Sequence, residues 1–100
     1  MNVRVSKDQP TRVAVISIII EESESVRDVN RLLHERSEYI IGRMGIPYRA
    51  KKINLISVAI DAPQPVIAEL SGKVGQLSGV SVKTAYSNVV TQTDGSVNIK

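Results

Sequence analysis

The chain has no cysteine, no phenylalanine and no tryptophan, and it holds one histidine and three tyrosines in 100 residues. The missing cysteine excludes disulfides, thiolate metal sites and a cysteine nucleophile, and it fits a reducing compartment, so the expected location is the cytoplasm. The scarcity of aromatics leaves an aliphatic core and no stacking platform for bases. One histidine, His34, is a poor metal site on its own, and one histidine with no cysteine gives catalysis little support. No long hydrophobic run is present. The longest, Val13–Ile20, is too short to cross a bilayer, and Met1–Pro10 is polar without a secretory pattern. Neither a membrane partner nor a leader is expected. The net charge of +3 is well short of that of a dedicated nucleic-acid binder.

The patterning of what remains fits one domain of 100 residues, with a modest core. "RVAVISIII" (12–20) is β-branched and reads as a buried strand. "EESES" follows, in which Ser23 or Ser25 suits a helix N-cap and the acids suit its positive end. Val26, Val29, Leu32 and Leu33 then recur at helical spacing, predicting a helix over about 24–35. "SEYIIGRMGIPY" and "INLISVAI" predict a second and third strand, joined through the basic tip "RAKK". Asp61–Pro65 is a helix start, and Val66, Ile67, Leu70, Val74 and Leu77 give the apolar stripe of a second helix. Gly79 is expected to be the left-handed residue that ends it. "VSVKTAY" is a fourth strand. The order β-α-β-β-α-β predicts an α+β, ferredoxin-like domain over residues 12–86. Its four-stranded antiparallel sheet has the first and third strands at the centre and two helices on one face.

Residues 1–11 are expected to be an N-terminal arm, with "VRV" a candidate extra strand. Residues 87–100 are an extension in which "TDGS" signals a hairpin turn; the alternatives are packing against another chain and a frayed end.

Two features point outward. Gly72 and Gly75 fall on the side of the second helix opposite its apolar stripe, with Gln76 beside them. They lie inside a helix rather than before one, and neither GxxxxGK[ST] nor GxGxxG is present, so they do not form a phosphate cradle. Each costs about 1 kcal/mol relative to alanine, and close approach of another helix or subunit would explain them. The central strands are also apolar on both sides, whereas two helices cover only one. The uncovered side predicts a homo-oligomer, dimer or tetramer, with the open sheet face or an edge strand buried, and with Ile16, Ile18, Ile56, Val58, Gly72 and Gly75 as expected interface residues. The alternative is a monomer whose tail folds over that face.

"VNRLLHERSEYIIGRMGIPY" and "LSGKVGQLSGVSVKT" resemble a family of small proteins named as regulators of an iron-only hydrogenase system, over about 12–85. The resemblance implies an ACT-like version of the ferredoxin-like fold, similar to the C-terminal domain of nickel-responsive regulators, and a regulatory role. The nickel ligands of those regulators are histidines and a cysteine, so no metal site carries over to this chain. The glycine usual in the first loop of an ACT effector site is replaced here by "EESES".

The topology gathers three connections at one end, Glu21–Ser25, Tyr48–Lys52 and Gln76–Gly79. An effector or protein partner would meet Glu21, Glu22, Ser23, Ser25, Arg49, Lys51, Lys52 and Gln76 there; ordinary solvated loop charge is the competing reading. His34 suits the negative end of the first helix. Arg43, Arg49, Lys51 and Lys52 could touch phosphates, but without strand aromatics no sequence-specific nucleic-acid binding is expected of the chain alone. No catalytic residue, metal or cofactor is expected, and no enzymatic activity. The competing functions are a ligand-free scaffold module and, more remotely, a small ferredoxin-like dimeric enzyme.

Overall fold

A computed structural model describes residues 9–91, with side chains up to Val89. The candidate strand at Val3–Val5 and the Thr93–Ser96 turn lie outside the described residues. The elements are β1 (Thr11–Ile20), α1 (Val26–His34), β2 (Ile40–Tyr48), β3 (Ile53–Ala62), α2 (Gln64–Gly75) and β4 (Val80–Thr91). Short 3-10 turns at Ser23–Ser25 and Ser37–Tyr39 flank α1. The sheet order is β2-β3-β1-β4 and every pairing is antiparallel, as the ferredoxin-like reading requires.

Alternation along the central strands separates the two faces of the sheet. Ala14, Ile16, Ile18 and Ile20 on β1, with Ile56, Val58, Ile60 and Ala62 on β3, are buried beneath the helices. They meet Val29, Leu32 and Leu33 of α1 and Val66, Ile67, Leu70 and Val74 of α2 in one aliphatic cluster. This corrects the interface expectation: Ile16, Ile18, Ile56 and Val58 belong to this core and are unavailable to a partner. The uncovered side carries the odd-numbered set, Val13, Val15 and Ile19 on β1 and Ile53, Leu55 and Ala59 on β3.

Other local details also depart from the sequence reading. α2 ends at Gly75, not beside Gly79. Gly79 is left-handed, with φ +71, but in the turn that precedes β4. Ser25 stands at the N-cap position of α1 without capping it; its hydroxyl donates instead to the Ser78 carbonyl at 2.6 Å. β4 continues past Tyr86 to Thr91, because a register shift opposite Arg12–Ala14 absorbs the extra residues and keeps the strand on β1. The Arg12 guanidinium secures that irregular stretch by donating to the Ser87 carbonyl at 2.8 Å and lying 4.8 Å from the centre of the Tyr86 ring.

Candidate functional site

The end of the sheet where β1 stops is drawn together by short hydrogen bonds. The Glu21 N–H donates to the Gly79 carbonyl at 2.7 Å, and the Ser78 hydroxyl donates to the Glu22 carboxylate at 2.6 Å. With the Ser25–Ser78 bond, these contacts lash the β1–α1 loop to the α2–β4 turn. Gly79 is required in that lashing. A Cβ there would sit 2.5 Å from Glu22 Cγ, on a backbone that L-residues avoid.

The expected effector residues separate into four groups. Glu22 and Ser25 are engaged in the lashing. Ser23, Arg49 and Lys52 come together around a shallow depression of about 290 Å³, which Pro47, Tyr48, Ile53 and Asn54 complete. Lys52 holds a left-handed backbone, φ 57, at the β2–β3 tip, an uncommon state for a residue other than glycine. Gln76 lies elsewhere, with Gly72 and Gly75, in a groove between α2 and β4. Glu21 and Lys51 are exposed and outside both hollows. The depression therefore contains two cations, a hydroxyl, a phenol and an amide, a set suited to a small anion. Arg43, the fourth cation considered for phosphate contact, is turned to the helix side and donates to the Asn30 side chain.

The second feature is the uncovered sheet face. A bulge at Ile41, where Ile40 pairs with Ile60 but Gly42 pairs with Ala59, sets the direction of the rest of β2. Met44, Ile46 and Tyr48 then stand opposite Ser57, Leu55 and Ile53, on the side away from the helices. Val15, Ile19, Met44, Ile46 and Tyr48 are between 40% and 59% exposed. Sequence reasoning had no signal for the bulge and left β2 out of the interface. Ser17 and Ser57 face one another across β1 and β3 at the centre of this surface. They floor a dip of about 190 Å³ walled by Ile19, Met44, Ile46 and Leu55.

His34 is exposed at the end of α1, where the helix C-terminus was expected. Among the described residues no group of three or more His, Cys, Asp or Glu side chains is placed to hold a metal, and no helix is long and apolar enough to cross a membrane.

This geometry defines a small α+β, ferredoxin-like domain with an exposed apolar sheet face and a basic rim. The chain belongs to the TM1266-like family, described as "Iron-only hydrogenase system regulator, putative", whose sequence profile matches residues 12–84. Among solved structures it is similar to the uncharacterized protein TM1266 from Thermotoga maritima, at 38% identity and a TM-score of 0.73, over 76% of this chain and 96% of that one. A formyltetrahydrofolate deformylase from Pseudomonas putida KT2440 is similar at 17% identity and a TM-score of 0.59, over 77% of this chain and 29% of the deformylase. An unknown protein from Galdieria sulphuraria is similar at 18% identity and a TM-score of 0.58, over 86% of this chain and 54% of that one. The last two likenesses are of fold alone. No curated protein matches the chain.

Proposed function

We propose that the chain is a cytoplasmic, non-enzymatic regulatory module that works as a homo-oligomer and reads a small anionic effector at its basic rim. The observation that carries this reading is the uncovered apolar face. Its apolar part lies on β2, β3 and β1, because β4 brings Ser81 and Lys83 to this side. Three strands about 4.8 Å apart and some eight residues long present roughly 400 Å² in plan, so two stacked faces bury on the order of 800 Å². Leaving that surface in water forgoes about 25 cal/mol per Å². Membership of a family described as hydrogenase-system regulators supports the regulatory part of the reading. The grouping of Ser23, Tyr48, Arg49 and Lys52 supports an anionic ligand. A ligand at the rim would act by binding one assembly state, or one partner-bound state, better than another.

The competing reading is a scaffold that assembles without a ligand. Thermal unfolding with panels of carboxylates, amino acids and nucleotides separates the two. An effector present at a hundred times its dissociation constant stabilises the folded state by about 2.7 kcal/mol. That stabilisation should disappear in Arg49→Ala/Lys52→Ala. If no compound of these classes shifts the midpoint, the scaffold reading is the better one.

A further inference from the structure

We infer that the outer edge of β4, with the adjoining side of α2, is a second self-association surface on which a further copy of this chain continues the sheet. The inference rests in part on the homo-oligomer reading above and adds an interface distinct from the stacked face.

β4 is the last strand of the sheet, and no strand pairs with its outer edge among the described residues. Its register shows which backbone groups are unused. Ile20 pairs with Val80, and the Glu21 N–H donates to the Gly79 carbonyl across that position. In an antiparallel ladder this makes 20–80 a non-hydrogen-bonded pair, and such pairs alternate along the strands. Val82 and Thr84 therefore aim their N–H and C=O groups away from β1, along the open edge. Antiparallel pairing about a two-fold axis would satisfy the same groups on both copies, because such an interface is self-complementary.

The side of the edge facing the helices is prepared for burial. The groove between α2 and β4, about 550 Å³, is lined by eight residues, none of them charged, in a chain that is 23% charged. Edge strands left in solvent are commonly guarded by charge, and on this side the guard is missing. Lys83, the nearest charge on β4, points to the opposite face, because it pairs with Ser17. The helix next to the edge also leaves room. α2 packs over β4 and β1, so continuing the sheet would bring α2 and its copy to on the order of 10 Å apart, a spacing that favours small residues. Ala68, Gly72 and Gly75 lie on that side. Neither glycine is demanded by the chain's own packing. A Cβ at Gly72 meets nothing within 4 Å, and one at Gly75 makes an ordinary 3.7 Å contact with Val82.

The two-fold at the β4 edge runs perpendicular to the sheet, whereas the one relating stacked faces lies parallel to it. Together they generate a four-copy assembly, two eight-stranded sheets stacked face to face with the helices outside. Native mass spectrometry of the full chain and three variants tests the edge. Thr84→Pro removes an N–H that β1 does not use, so the fold survives while the edge loses a donor. Gly72→Arg leaves the single chain undisturbed and fills the approach between helices. Leu55→Lys places a charge on the stacked face. The expected result is four copies for the wild type and two for each variant, with one for Thr84→Pro/Leu55→Lys, and far-UV circular dichroism unchanged throughout. Two copies for the wild type, lost in Thr84→Pro and Gly72→Arg but kept in Leu55→Lys, would support the edge and remove the stacked face. Stoichiometry unchanged by both Thr84→Pro and Gly72→Arg would overturn the edge proposal, whether its groups are met by water or by this chain's own termini. Loss of copies in Leu55→Lys would then leave the stacked-face reading standing alone.

Discussion

Gly79 shows how one residue can bind two loops. Its φ of +71 and its 2.5 Å clearance from Glu22 leave no room for a side chain. Gly79→Ala combines a left-handed alanine with a displaced Glu22, and a loss of about 1–3 kcal/mol is expected in chemical denaturation. Ser25 is the polar counterpart, buried and donating to the Ser78 carbonyl. Ser25→Ala should cost about 1–2 kcal/mol in the same assay, because the carbonyl loses its partner. Of these two residues, Gly79 was the more legible in the sequence. Glycine is the residue expected where a helix gives way to a turn, and left-handed geometry followed. The partner of Ser25 was not legible, because it lies 53 positions away and a serine before a helix suggests capping.

Among the elements, the helices are joined to one another by charge as well as by the core. Arg36, just beyond α1, donates to Glu69 of α2 at 2.8 Å, and Lys73 stands 3.5 Å from the same carboxylate. The hydrogen bond from Arg36, and then the charge of Lys73, hold the Glu69 carboxyl below its ordinary 4.5. A carboxyl with a lowered folded-state pKa stabilises the fold above its unfolded pKa, and the contribution is lost as pH falls through the folded value. The difference in melting temperature between wild type and Glu69→Gln should therefore be greatest above about pH 5 and should shrink below it. β2 holds the other lesson of this scale. Strand existence and order were readable from β-branched runs and turn residues, and they placed β1 and β3 at the centre correctly. The side each strand turns to the helices was not readable, because β1 and β3 are apolar at both odd and even positions. Ile16, Ile18, Ile56 and Val58 were thus assigned to the wrong face. The bulge at Ile41 is equally silent in the sequence, yet it decides where Met44, Ile46 and Tyr48 point. Deleting Ile41 removes the extra residue and leaves Gly42 opposite Ala59, so Met44, Ile46 and Tyr48 should keep their direction, with little change in thermal stability. Deleting Ile41 and Gly42 together shifts the register by one, turns those three side chains toward α1, and should cost a large part of the thermal stability.

For the whole molecule, one side of the sheet is closed by two helices and the other is left to the surroundings. The sequence signalled an excess of apolar strand residues, and the fold gathers that excess on one side of β1, β2 and β3, around Ser17 and Ser57. The rim was less legible. Topology brought its three loops to one end, but hydrogen bonding among two of them consumed Glu22 and Ser25, and only Ser23, Arg49 and Lys52 gather around a hollow. The regulation by assembly proposed above rests first on the open face. Sedimentation velocity on the wild type and on Leu55→Lys, at matched micromolar concentrations, measures that dependence directly. The account predicts an oligomer for the wild type and a smaller species for Leu55→Lys, with the fold retained in both. A wild type that sediments as a monomer, or an assembly indifferent to a lysine at position 55, would contradict it.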